Sequence, residues 1–155
     1  MSAWTTIRTA INETMTAVNV LSTNAFYETP MGTDISKLPR SPKLNGAYSI
    51  HLNGIPRFHR ETGDSADAEL AVRVQLGFVM NNVENANPND GVLQNDKADY
   101  TNAVEDIILI IRTFFDTVHT GIEIKDFSRG GDLRALDASE TYFVCDLEFL
   151  LGVRE

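Results

Sequence analysis

The chain has 155 residues, enough for one domain with a substantial buried core. Its net charge of −9 argues against general nucleic-acid binding, which needs an excess of Lys and Arg, and no run approaches the ~18 apolar residues of a membrane span. A single cysteine, Cys145, excludes an intrachain disulfide and points to synthesis in a reducing, intracellular setting.

The first 21 residues mix apolar residues with Thr, Asn and Glu and lack a continuous apolar run, so no secretory signal is expected there. The spacing of Trp4, Ile7, Ile11, Met15 and Val18 predicts an amphipathic helix with Ser2 as its N-cap. Residues 23–46 are punctuated by Pro30, Gly32, Pro39, Pro42 and Gly46 and are expected to form a long loop. Tyr48, Ile50 and Leu52 alternate with Ser49, His51 and Asn53 as in a half-buried strand, which Gly54 and Pro56 are expected to end. A polar loop over 53–69 follows. The clearest strand has Leu70, Val72, Val74, Leu76, Phe78 and Met80 on one face, with Gly77 on the other marking a bulge or a close backbone approach.

Residues 81–98, rich in Asn with Pro88 and Gly91, read as a third loop. A second helix is expected from about Asp99 to His119, its stripe made by Tyr100, Val104, Ile107, Ile108, Ile111, Phe114, Phe115 and Val118. Leu109 falls among Glu105, Arg112 and Asp116 and reads as a lone exposed leucine that can serve as a subunit contact. Ile122 and Ile124 open a strand, and Ser128–Asp132 reads as a polar turn. In a last strand over Thr141–Leu151, Phe143, Cys145, Leu147, Phe149 and Leu151 point inward while Asp146 and Glu148 point out. The expected fold is one α+β domain over residues 1–155. Its sheet is mixed and mainly antiparallel, with about four strands flanked by two helices in the order α-β-β-α-β-β.

The search for chemistry returns no catalytic, cofactor-binding or metal-ligating residue. His51, His59 and His119 form no HExxH or Cys/His pattern and read as surface or helix-end histidines. Cys145 lies on an apolar strand face, where a thiolate is poorly solvated. There is no GxSxG elbow and no phosphate-binding glycine pattern, and the stretch from Asn87 to Gly91 does not meet calcium-loop spacing. The sequence therefore reads as a non-enzyme. Its one uneven feature is charge. Lys37, Arg40, Lys43, Arg57 and Arg60 fall between Ile35 and Arg60 with no acidic residue among them, so a basic arm sits on an acidic body and is a candidate interface.

The layout resembles the tail-terminator and tail-completion proteins, which join head to tail, of long-tailed bacteriophages. The resemblance is carried by the amphipathic first helix, the proline-punctuated connection and the strand Ala47–Leu52 followed by Leu70–Leu76. A hydrophobic helix and the closing strand Tyr142–Phe149 complete it. It rests on element order and pattern rather than on a short motif. It implies a virion protein, made in the host cytoplasm and without a membrane or cofactor, that assembles as a homo-oligomeric ring, commonly a hexamer. Such a ring ends the tail tube, contacts the tube protein and the head connector or neck protein, and lets DNA pass without binding it specifically. The alternatives are a monomeric acidic adaptor or binding module, and a small enzyme with a site assembled from scattered residues.

Overall fold

The computed structural model describes residues 3–22, 24–60, 66–80, 95–130 and 132–154, with the side chains of 59–60, 66–67, 95–98, 128–130 and 154 outside that description. Two helices, α1 (Ala3–Leu21) and α2 (Asn95–Asp116), cover one face of a mixed, mostly antiparallel sheet. The strands are β1 (Tyr27–Glu28), β2 (Ala47–Arg60), β3 (Ala66–Val79), β4 (Ile122–Gly130), β5 (Arg134–Ala135) and β6 (Tyr142–Arg154). Their order is β1-β2-β3-β6-β4, with β5 pairing the early part of β6 on the same side as β4. Among the described residues only β1 against β2 is parallel. The fold is α+β as expected, with six strands among the described residues in place of about four.

The core forms where the alternation is cleanest. Leu70, Val72, Val74, Leu76, Phe78 and Met80 from β3 meet Cys145, Leu147, Phe149 and Leu151 from β6, and all are buried under the helices. Ile7, Ile11, Met15 and Val18 supply the α1 face, and Trp4 packs at its margin. Gly121, just past α2, lies beside Thr6, while Asp106 in mid-α2 takes Asn24, just past α1, so the helices run antiparallel.

Several sequence expectations change. The stripe on α2 is narrower than the run of apolar residues suggested. Ala103, Ile107, Ile110 and Phe114 are buried, whereas Tyr100, Ile108, Phe115 and Val118 are exposed, because a helix that is apolar on both flanks can seat only one of them on the sheet. Leu109 is half-buried and packs against the main core, so it is not a lone exposed leucine. It sits beside Asp106, on the flank of α2 turned toward the end of α1.

The loop expected over 53–69 is mostly strand. β2 continues to Arg60 and pairs with β3 through Arg57↔Glu69, Phe58↔Ala68 and Arg60↔Ala66, with register shifts on either side of Gly54. Gly54, at φ 156°, absorbs the irregularity, and Pro56 is tolerated because β2 is an edge strand here. Residues 61–65 lie outside the described part. The third expected loop likewise falls mainly outside it, at 81–94, although α2 already begins at Asn95. β4 runs through Ser128–Gly130, where a turn was expected.

The 23–46 segment changes as well. Besides β1 it contains two short 3₁₀ turns, Ile35–Lys37 and Pro42–Leu44, that lie as a strap across the second face of the sheet. Ile35, Leu44, Ala47 and Val144 form a separate buried cluster there, joined by Leu38, Val79, Leu136 and Tyr142. Gly77 marks the close approach anticipated for it. A Cβ at that position would meet the Leu44 carbonyl oxygen at 2.6 Å and Ile35 Cγ2 at 3.0 Å. The strap thus buries the side of β3 that the alternation assigned to solvent.

Candidate functional site

The strap is held down by polar side chains on the second face of the sheet. Ser49 on β2 donates to the Thr33 carbonyl at 2.7 Å, and Gln75 on β3 accepts the Ile35 N–H at 2.7 Å. Ser49 and Gln75 are paired across strands, and Gln75 is next opposite Asp146 on β6. Asp34 caps the first 3₁₀ turn by accepting from Ser36 N–H and Oγ, and those bonds hold its carboxyl below the usual range.

His51 lies two pairs further along, on the same face and opposite Arg73, and its Nε2 is 2.8 Å from Ser49 Oγ. A serine beside a histidine suggests an activated nucleophile, but the geometry opposes it. Ser49 is fully buried, and its own proton is committed to the Thr33 carbonyl, so His51 Nε2–H donates to the hydroxyl and accepts nothing from it. The pair latches the strap. Among the described residues no group of three or more His, Cys, Asp or Glu is placed to hold a metal ion.

Beside this latch is a groove of ≈ 480 Å³ at the outer edge of β2, lined by Trp4, Met31, Leu52, Asn53, His51 and Arg73 among others. Trp4 Nε1–H is directed at Met31 Sδ at 3.2 Å, closing one wall. Arg73 is half-buried. Its Nε–H is fully covered without a hydrogen-bond partner, and it forms no ion pair with the described residues. The groove therefore offers an apolar wall and a guanidinium with one unpaired N–H, opposite Glu148 on β6, chemistry that can take a carboxylate-bearing extended segment.

Compared with protein-family models and with curated proteins, the chain matches none.

The basic residues singled out from the sequence are not brought together. Lys37, Arg40 and Lys43 ride on the strap. Lys37 is 4.0 Å from Asp34, and Arg40 folds back onto the carbonyls of Leu38 and Ser36. Arg57 stands exposed far along β2, opposite Glu69, and the Arg60 side chain lies outside the described part. Glu69, beside Arg57, and Gln75, beneath the strap, are about 20 Å apart along β3 at ~3.3 Å per residue. The run of positive charge is thus two separate groups. Sequence reasoning missed Ser49, Arg73 and Asp146, because alternation alone assigned that face to solvent.

Of the histidines, His119 is at a helix end as expected, its Nε2–H capping the Phe114 carbonyl at 2.9 Å with its ring 4.6 Å from Phe114. The His59 side chain lies outside the described part. His51 departs from the surface reading. Burial first, and Arg73 second, push its pKa down. A depressed histidine stabilises the fold fully above its unfolded value of about 6.5, and that stability is lost as pH falls through the lower folded value. Asp34 and Asp137, both held low, stay ionised across that interval. The melting temperature is therefore expected to fall between about pH 7 and pH 5, and His51→Gln to flatten the fall. An unchanged pH profile in the variant would remove His51 from the account.

Proposed function

We propose that this protein is a structural, ring-forming component of a phage tail that ends tube growth and joins tail to head. The observation that carries this reading is the pair of open sheet edges. Among the described residues no strand pairs with β2 on its outer side beyond the reach of β1, and none pairs with the outer side of β4. Two different open surfaces on opposite sides of one subunit suit a heterologous contact, which closes into a ring when the rotation per subunit divides a full turn. The resemblance in element order supports the same reading. So does the acidic chain, because a lumen carrying net negative charge lets DNA slide without sticking.

One observation favours a second reading. The groove beside Arg73, at the edge of β2, suits a monomeric adaptor that takes an extended acidic segment. Negative-stain electron microscopy with light scattering on the purified protein at rising concentration separates the two. Closed rings of one size are the expected result, and a strict monomer throughout would select the adaptor.

A further inference from the structure

The tripeptide Leu-Asn-Gly occurs twice in the chain, as Leu44-Asn45-Gly46 and as Leu52-Asn53-Gly54. An asparagine followed by glycine is open to attack by the backbone on its own side chain. Glycine has no Cβ to keep the peptide nitrogen from the asparagine amide carbon, and the two reacting groups are already tethered side by side. The sequence treats the two copies alike, and the fold does not.

Asn45 is held at every polar group the reaction would have to move. Its Oδ1 accepts the Val79 N–H at 3.0 Å, its Nδ2 donates to Asn24 Oδ1 at 2.9 Å, and the Gly46 N–H donates to the Gly77 carbonyl at 2.9 Å. Gly46 is buried and packed against the Ala25 carbonyl. Attack on Asn45 therefore waits for these three bonds to open together.

Asn53 has none of these restraints. It is exposed on the wall of the groove that Arg73 also lines, and among the described residues nothing binds its amide. The ladder passes from Leu52↔Val72 to Gly54↔Ala71, so Asn53 is the extra residue of a bulge, without a partner across the strands. A second register shift follows between Gly54 and Arg57, and no atom lies within 4 Å of the Gly54 Cβ position. The peptide between Asn53 and Gly54 thus has room to turn toward the side chain.

We propose that Asn53 is a site of spontaneous deamidation, selected over Asn45 by the bulge in β2. The Gly54 nitrogen, its proton lost to hydroxide, forms a bond to Asn53 Cγ. The Cγ–Nδ2 bond breaks, and Nδ2 leaves as ammonia with a proton taken from water. Water then opens the cyclic imide. Breaking the bond from the Gly54 nitrogen to Cγ gives aspartate, and breaking its bond to the Asn53 backbone carbonyl carbon gives isoaspartate. Nothing is oxidised or reduced. Either product adds one negative charge to the chain's net −9 and places a carboxylate in the groove that Arg73 lines. Isoaspartate also lengthens the backbone by one atom, at a point where the ladder is already broken.

The test incubates the full chain, folded and in denaturant, at physiological temperature and mildly alkaline pH. Acidic forms are followed by anion exchange, and the converted residue is located by fragment-ion mass spectrometry that tells aspartate from isoaspartate. In the folded protein Asn53 is expected to convert at least about tenfold faster than Asn45, which reacts only when its hydrogen bonds open. In denaturant the two are expected to convert at similar rates, because the tripeptides are the same. The folded-state rate at Asn53 is expected to rise with pH, as the Gly54 nitrogen must lose its proton. A folded chain that keeps Asn53 intact while the denatured chain converts would overturn the proposal. Equal rates at Asn45 and Asn53 in the folded protein would overturn it too, since the fold would then select neither site. The ring reading stands or falls separately, on assembly alone.

Discussion

Replacing Gly46 by alanine is expected to destabilise the protein by about 3 kcal/mol and lower its melting temperature by roughly 10 °C. Gly46 sits at φ 82°, left-handed backbone that costs a residue with a Cβ on the order of 1 kcal/mol. The larger part is steric, because a Cβ there would run into the Ala25 carbonyl oxygen, a backbone atom that cannot rotate away. Gly46 cannot move off either. Its N–H donates to the Gly77 carbonyl at 2.9 Å, and its own carbonyl accepts the Tyr27 N–H at 2.9 Å. Those bonds tie β1 and the start of β2 to the end of β3. The neighbouring Asn45 extends the tie, taking the Val79 N–H at 3.0 Å and donating to Asn24 Oδ1 at 2.9 Å. Asn24 in turn donates its N–H and its amide to the buried Asp106 of α2. A shift at Gly46 is therefore felt from the strap to the second helix. Gly32→Ala is the control. Its φ is 81°, but nothing lies within 4 Å of its Cβ position, so only the backbone cost of about 1 kcal/mol applies. Equal losses in thermal melts of the two variants would contradict the close approach at Gly46.

The elements legible in the sequence are those with one buried face. α1 buries Ile7, Ile11, Met15 and Val18 at the spacing that predicted it, and β3 and β6 bury the alternate residues expected of them. The strap was not legible because its burial is nonlocal. Ser49, Gln75, Gly77 and Val144 look solvent-facing until residues 35–44, distant in sequence, are laid over them. Gly77 gave the one hint of this. The far end of the hairpin was missed for the opposite reason. Gly54 and Pro56 are strong breakers in a paired interior strand but admissible on an edge, and nothing in the sequence says which strand is the edge. The phase of α2 failed because apolar residues cover two of its flanks. The two flanks are distinguished only by which of them meets the sheet, and the one left over keeps Ile108 and Phe115 exposed. As to the candidate site, the basic residues were visible as a run, but the run is split between the strap and the β2 arm.

Arg134 and Asp146 give the second large effect, and its size depends on which partner is removed. Asp146 was expected to point outward, yet it is 6% exposed, opposite Gln75 on the face of the sheet that carries the strap. One carboxylate oxygen accepts from Arg134 Nη2 at 2.7 Å, and the other is buried without a hydrogen bond. Removing the arginine leaves a buried charge with no counter-ion, a loss that reaches several kcal/mol when the pair is fully enclosed. The Arg134 side chain is 51% exposed, so water replaces part of what it supplies. Arg134→Met is therefore expected to cost about 2 kcal/mol, or roughly 6 °C. Asp146→Val removes the buried charge instead. It leaves a guanidinium that solvent can hydrate and places a β-branched side chain on a strand, for a cost of about 1 kcal/mol or less. The double variant is expected to resemble Asp146→Val rather than the sum of the two, because the arginine has no carboxylate left to neutralise. Thermal melts of the four proteins close the cycle. Strictly additive losses would mean that the pair is decorative and that other contacts hold β5 on the sheet. A rescue in the double variant would show that the arginine is kept to compensate a charge buried on β6.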